Sequence, residues 1–407
     1  MTGEILFLAH RLPFPPDRGD KIRSHHVLKS LAQIAPVHVG CLAENEADET
    51  HGAALDGLAA TWCMPRRTKP LPLAGLEALW RREPVSLSAF RSRALSAWVE
   101  ATLRNRQISA IYVFSGQMGQ YVPHGWNGRL VVDLVDVDSA KFEAYARDGR
   151  GPRAWIDQRE ERLLRVLEAE LASRADTTLL VSEAEADLLR QRTGLSADIR
   201  AMGNGINCGL FDPAAVSPTG DLTAEGPHYV FTGQMDYPPN IAAVTRMTHR
   251  IMPEIRNTLP LAAFHIVGRA PTREVRALEG MNGTNVVGEV ADTRPWLAAA
   301  NAIVAPLAIA RGVQNKVLEA MAMARPVVLS PGAATGIDGC DGTHFLIAED
   351  DDAFVRHLLR LSRARRDADT MGHEARRLVT ESMSWPAMLS PLPHLLGFSS
   401  GARRDAA

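Results

Sequence analysis

Cysteine is scarce, with four residues in 407: Cys41, Cys63, Cys208 and Cys340. They lie far apart and show no CxxC spacing, which argues against a zinc site or a disulfide framework and fits a reducing compartment. Long apolar runs are missing as well. The first, Ile5–Ala9, is too short for a signal-peptide core and has no basic leader. No stretch approaches the roughly 18 apolar residues of a spanning helix. Neither charge sign dominates: 45 Lys and Arg stand against 47 Asp and Glu, a formal net charge of −2. Nothing global therefore points to nucleic acid as a partner. No low-complexity tract or short-period repeat occurs. The expected location is the cytoplasm, with any membrane contact made by a surface at the inner face.

What remains is an ordinary globular composition, 46% hydrophobic and 23% charged. At roughly 100–200 residues per domain, the length implies two domains. Short β-rich runs alternate with helical patterns. The runs Ile5–Ala9, Val37–Cys41, Ala110–Phe114, Leu130–Leu134, Thr177–Val181, Tyr229–Thr232, Phe264–Val267, Asn285–Val287, Ala302–Ala305 and Pro326–Leu329 predict strands. Most are continuously apolar, as in strands covered on both faces, so the expected class is α/β with parallel sheets. Ser182 with Glu185 predicts a capping box. Residues 153–174 predict a long amphipathic helix, and 315–324 a helix stopped at Arg325-Pro326. The Pro-, Gly- and Ser-rich segment 212–228 is the expected linker. It separates an N-terminal domain, 1–211, from a C-terminal one, 229–382. The apolar stretch 383–398 is expected to return to the first domain, the alternative being one more helix on the second.

Ligands of α/β sheets sit beyond the carboxyl ends of the strands, so the residues following each strand carry the functional reading. After the first strand, Gly19 allows close backbone approach, and Lys21 and Arg23 flank a helix start that suits an anion. The competing reading is a solvated βα loop. Around the strand 130–134, Asp136 and Asp138 suit a base or a polyol-orienting role, or Asp138 merely caps the next helix. After the strand 229–232, Gly233 precedes a helix expected to begin at Asn240, a favoured N-cap type. Beyond Ala305, a loop through Arg311 and Gly312 leads to a helix starting at Asn315-Lys316, a phosphate cradle. Glu319, one turn inside that helix, suits the two hydroxyls of a ribose, or else forms a surface pair with Lys316. The segment 65–106 carries nine basic against three acidic residues, a local excess of +6, with Trp80, Phe90 and Trp98 interleaved. This suits an anionic membrane surface, or else ordinary helices with a solvated basic face.

The run Gln314–Val328 resembles the Glu-Ala-Met-Ala-x-Gly-x-Pro-Val-Val signature of family 4 glycosyltransferases of the GT-B fold. Leu180-Val181-Ser182-Glu183, Gly203-Asn204-Gly205 with Phe211-Asp212-Pro213, Phe231-Thr232-Gly233, Ile266-Val267-Gly268, Val287-Gly288-Glu289 and Ala305-Pro306-Leu307 follow in the family's order. RLPFPPDRGDKIRSHH, VVDLVDVDSAKF and ARGVQNKVLEAMA resemble a narrower group, the sugar transferases of PEP-CTERM exopolysaccharide systems. The resemblance implies two Rossmann-like domains facing a central cleft. It also implies a retaining hexosyl transfer from a nucleotide-diphosphate sugar to a hydroxyl of a lipid-linked or polysaccharide acceptor. No cofactor or metal is expected beyond that donor. By analogy Glu319 takes the ribose, Asn315 and Lys316 the diphosphate, and Gly19, Gly233 and Arg269 line the donor site. Two features depart from the family. Arg311 stands eight residues before Glu319, where a first glutamate is usual, and Asp236 to Asn240 replace the usual basic residues after Gly233. A nucleotide-sugar epimerase or hydrolase of the same fold, or a non-catalytic scaffold, are the alternatives.

Overall fold

The computed structural model describes residues 3–148, 151–222, 225–308 and 313–398. Seven parallel strands form a first sheet: β1 (Glu4–Ala9), β2 (Val37–Gly40), β3 (Thr61–Cys63), β4 (Ile108–Phe114), β5 (Arg129–Val135), β6 (Thr177–Leu180) and β7 (Ile199–Ala201). Their order is β3-β2-β1-β4-β5-β6-β7. Six more form a second parallel sheet: β8 (His228–Thr232), β9 (Ala263–Val267), β10 (Thr284–Gly288), β11 (Ala302–Ala305), β12 (Val327–Leu329) and β13 (Leu346–Ile347). Their order is β10-β9-β8-β11-β12-β13. The strand order reverses beside β1 and β4 in one sheet and beside β8 and β11 in the other. In sheets of this kind ligands bind outside the carboxyl ends of the strands, where the order reverses.

The continuously apolar runs are buried on both faces, as parallel sheets require. Ile5 through Ala9 are fully buried, and so are Tyr229, Val230 and Phe231; each large side chain so covered contributes about 1.5–3 kcal/mol. Three strands escaped the sequence pattern: β3, β7 and β13. All are sheet edges of two or three residues, too short to carry a periodic signal.

The chain divides into two compact units, Met1–Asn204 with Met388–Ala407, and Gly205–Ala387. The division falls ahead of the segment 212–228, for a visible reason. Ile206 N–H donates to Met383 O at 2.9 Å. Arg376 donates to Phe211 O at 2.7 Å, to Asp212 Oδ1 at 3.2 Å and to Ala322 O. These bonds tie the stretch from Gly205 into the second unit. In the first unit, the helix Leu392–Leu395 supplies Leu395 O as acceptor for Arg129 Nε at 2.8 Å.

Helix ends follow local chemistry with one exception each way. Ser182 caps the helix Glu183–Thr193, its side chain accepting from Glu185 N–H. Glu185, however, does not complete the box; its carboxylate accepts from Val137 N–H at 2.7 Å. The helix Asn315–Ala322 stops before the expected residue 324. Arg325 N–H bonds Ala320 O and Ala324 N–H bonds Met321 O, the double bond pattern of a helix end that needs a left-handed residue. Ala324 supplies it at φ +53°, although glycine is favoured there. Ala324→Gly is therefore expected to stabilise the second unit by about 1 kcal/mol, read as a higher urea midpoint with an unchanged slope.

Candidate functional site

In the second unit, the residues after β8, β9 and β11 converge. Phe231 is the penultimate residue of β8. Its ring lies 4.1 Å from Lys316 Nζ, and Lys316 Nζ donates to Asn240 Oδ1 at 2.6 Å. No surface pair between Lys316 and Glu319 forms; the ammonium turns inward to these two partners. Burial lowers the Lys316 pKa to about 8, with Glu319 the weaker opposing influence. Asn240 is buried and is not the helix cap. The helix Pro238–Arg246 begins two residues earlier, with Tyr237 at the cap position. Proline suits a first turn, where its missing N–H costs nothing. Asn240 Nδ2 donates to Gln234 O at 2.8 Å, so the amide is held with its oxygen toward Lys316.

Gly233 makes this possible. Its φ is +157°, and a Cβ on it would stand 2.8 Å from Asn240 Nδ2 and 3.1 Å from Lys316 Nζ. Gly268, ending β9's turn, is under stronger constraint: a Cβ there would stand 1.6 Å from Gly233 O. Arg269 follows, exposed, with one guanidinium nitrogen donating to Gln234 Oε1 at 3.0 Å. Asn315 is exposed at the first helical position. Glu319 sits one turn on. Burial raises its carboxyl pKa while Lys316 lowers it, and no donor among the described residues bonds its oxygens. Arg311 lies outside the described residues. The assembled groups form an anion cradle: a partly desolvated ammonium, an exposed guanidinium and a helix N-terminus. Beside it stands a carboxylate able to accept two hydroxyls.

The first unit corrects two expectations. Lys21 and Arg23 do not face a ligand. Lys21 Nζ donates to Asp48 Oδ1 at 2.9 Å and to Phe14 O at 3.1 Å. Arg23 is 1% exposed. Its Nε and one terminal nitrogen grip Asp133 at 2.9 and 3.2 Å, and the other terminal nitrogen reaches Asn204 Oδ1 at 3.0 Å and Gly203 O at 3.2 Å. Tyr112 OH completes the set on Asp133 at 2.7 Å. The helix Gly19–Ile34 simply turns these positions inward. Gly19 stands at its start, where a Cβ would meet nothing within 4 Å. Asp136 and Asp138 are both accessible. Lys141 Nζ binds Asp136 Oδ2 at 2.8 Å and Asp138 Oδ1 at 3.1 Å. The helix that starts at Asp138 is capped from outside: Glu168 accepts from Ser139 N–H at 2.9 Å and from its hydroxyl at 2.5 Å.

A network missed by pattern reading lies after β1. Arg11 donates to Asp20 at 2.6 Å and to Glu44 at 2.7 Å, Arg18 donates to Glu44 at 2.5 Å, and His10 Nε2 lies 3.2 Å from Asp20. These hydrogen bonds hold the Asp20 carboxyl well below the usual carboxylate range against the effect of burial. Only the partner Glu44, distant in sequence, was beyond reach of local motifs. Phe231 and Gln234 were missed for the same reason. Among the described residues, no three His, Cys, Asp or Glu side chains gather as a metal site would need, and no helix is long and apolar enough to cross a membrane.

Residues 226–364 match the family described as Glycosyl transferases group 1. No curated protein matches the sequence. Among solved structures, sucrose-phosphate synthase from Thermosynechococcus elongatus is similar at 17% identity, covering 97% of this chain and 98% of that one, with a TM-score of 0.59. Anabaena HepE, solved in complex with UDP and glucose, is similar at 15% identity over 97% and 99%, TM-score 0.59. A variant of S. aureus TarM, in complex with Fondaparinux, alpha-GlcNAc-glycerol and UDP, is similar at 11% identity over 97% and 100%, TM-score 0.59. The architecture is the GT-B fold, and within the second unit residues 226–364 are similar to the glycosyl transferases group 1 model.

The site geometry separates structural from ligand-facing cations. Arg23→Ala leaves Asp133 buried without its cation, and is expected to cost about 3–5 kcal/mol in urea unfolding. Arg269→Ala, at an exposed position, is expected to leave the unfolding midpoint within about 0.5 kcal/mol of the parent.

Proposed function

We propose that the protein is a retaining glycosyltransferase that moves a sugar from a nucleotide-diphosphate donor to a hydroxyl of a lipid-linked or polysaccharide acceptor. The observation that carries this reading is the placing of Lys316 and Glu319 one turn apart at the start of one helix. The lysine is desolvated and short of negative charge, and the half-buried carboxylate has no donor among the described residues. Lys316, Arg269 and the N–H groups from Asn315 onward hold the diphosphate, while Gly233 lets it approach the backbone. Glu319 accepts from both ribose hydroxyls. Arg311, one residue from Gly312, is assigned to the donor as well.

In the transfer, the bond from the anomeric carbon to the diphosphate oxygen breaks and a bond to the acceptor oxygen forms. The acceptor's proton leaves with the nucleoside diphosphate. Charge grows on the departing diphosphate, so the fixed cations and helix end stabilise the transition state more than the ground state. Asp136 and Asp138, steadied by Lys141, orient the acceptor hydroxyl on the first unit. Gly19, at the start of the helix after β1, offers its backbone to the donor from the first unit. No cofactor beyond the donor is needed.

HepE was solved with UDP and glucose, and TarM with UDP, which makes UDP the first nucleotide to try. Motif order favours a role in exopolysaccharide assembly, and the basic segment 65–106 favours work at the inner membrane face in the cytoplasm.

Incubation with UDP- and GDP-sugars and lipid-linked acceptors is expected to release nucleoside diphosphate. Glu319→Ala is expected to weaken nucleotide binding by roughly tenfold or more, the loss of a charge-assisted hydrogen-bond pair, with the thermal midpoint of the apo protein nearly unchanged. Absence of both release and nucleotide binding overturns the reading.

Binding should also follow pH with a defined sign. The Lys316 pKa is lowered to about 8, and a bound diphosphate favours the charged form and raises it. Binding therefore takes up a proton above pH 8. Affinity for UDP is expected to be insensitive to lysine titration between pH 7 and about 8, and to fall by up to about tenfold per pH unit above it, measured calorimetrically. In Lys316→Arg this alkaline decline should disappear.

A further inference from the structure

The helix Leu71–Arg81 is built inside out. Its buried residues are the small Ala74 and Ala78. Its large apolar side chains face solvent: Trp80 is 81% exposed, Leu76 64%, Leu73 57% and Leu79 50%. At 3.6 residues per turn these four fall within an arc of about 120°, opposite the two alanines. A solvated helix of a globular unit carries the reverse pattern.

The helix is also fixed rather than loosely attached. Arg159 donates to Ala78 O at 2.8 Å and to Glu83 O at 3.1 Å, and Glu160 accepts from Val85 N–H at 2.8 Å. One turn before Arg159, the same long helix exposes Trp155 and Ile156.

The cations of the segment are mostly engaged. Lys69 and Arg81 share Glu77, Arg91 binds Glu83, Arg67 reaches Glu44, Arg66 reaches Glu46 and Arg104 reaches Glu100. Glu77, Glu83 and Glu100 are already counted in the excess of +6, so only Glu44 and Glu46 offset it further and the segment keeps a net positive charge. At the carboxyl end of the helix stand Arg81, already paired with Glu77, and Arg82. Arg82 is exposed with no ion pair among the described residues, and Arg81 lies over the Trp80 ring at 5.5 Å.

We infer that the helix Leu71–Arg81 is an interfacial anchor that lays its Leu73–Leu76–Leu79–Trp80 face into the acyl boundary of an anionic bilayer. At about 16 Å it is far too short to span, and its length suits lying in the interface plane. Tryptophan favours the boundary between headgroup and chain, and Arg81 and Arg82 meet anionic headgroups from the carboxyl end of the helix. The residual positive charge of the segment, with Arg82 outside any ion pair among the described residues, complements an anionic headgroup layer. Apolar insertion drives the contact, and the net positive charge of the segment 65–106 adds to it. This inference rests on the membrane-proximal part of the proposed function but not on its chemistry.

The test uses the full chain and vesicles of phosphatidylcholine with or without phosphatidylglycerol, with neither donor nor acceptor present, so failure of sugar transfer does not touch it. Co-sedimentation with the anionic vesicles is expected at both low and high salt. The triple variant L73S/L76S/W80S should bind roughly tenfold or more weakly with an unchanged thermal midpoint, since all three side chains are exposed. R81A/R82A should weaken binding to phosphatidylglycerol vesicles alone. Three results would each overturn the inference: no binding by the parent, undiminished binding by the triple variant, or complete loss of parent binding at high salt. So would a parent dimer that the triple variant dissociates in light scattering, which would make a second copy the occupant.

Discussion

An ammonium held out of water without a full counter-charge is the constraint around which the second unit's site is arranged. Lys316 touches a ring face and an amide oxygen, both weaker partners than a carboxylate. Desolvation therefore wins over the nearby Glu319, and the pKa falls to about 8. Each surrounding feature follows from keeping that nitrogen in place. Asn240 is oriented by Gln234, and the penultimate residue of β8 is aromatic. Two glycines in succession clear the space above it, because a Cβ on Gly268 would overlap the carbonyl of Gly233. A site so organised gains most from a ligand that brings negative charge, since the cost of desolvation is already incurred in the empty state.

The first unit contains the contrasting case. Arg23 is more deeply buried than Lys316, yet it has a bidentate carboxylate, an amide oxygen and a backbone carbonyl. Asp133 in turn has Arg23 and Tyr112. This network is closed, and a closed network rigidifies without offering anything to a ligand. Degree of compensation, more than burial or charge, tells a binding cation from a structural one. By that measure Lys21, bonded to Asp48, belongs with Arg23, while Arg269, exposed with a single bond to a neutral amide, belongs with Lys316.

The same distinction explains what the amino-acid sequence could and could not reveal. The ten continuous apolar runs correspond to strands because burial on both faces leaves a composition that can be read locally. The edge strands β3, β7 and β13 are half-covered and two or three residues long, so no such composition develops. That Gly233 follows a strand and that Asn315, Lys316 and Glu319 open a helix was legible because these are local features, while their binding roles rest on the resemblance. Lys21 and Arg23 were misplaced because loop position was legible and their partners Asp48 and Asp133 were not. Asn240 was taken for a cap because its type favours caps. The two prolines before it took over that task and left its amide to Lys316.

Backbone strain differs between the ends of β8 and β5. At the end of β8 the unusual conformation falls on a glycine, which bears it at little cost. At the end of β5 it falls on Val135, at φ +72°, where a β-branched residue costs on the order of 1–3 kcal/mol. The surroundings enforce it: Val135 N–H bonds the side chain of Asp133, and Val135 O accepts from Val181 N–H at 2.7 Å. Asp133 is itself locked by Arg23, so the closed network in the core fixes the strained turn, and the strained turn aims Asp136 and Asp138 outward toward Lys141. The fully compensated arginine thereby serves the open edge of its unit indirectly, by making the direction of two accessible carboxylates a consequence of core packing.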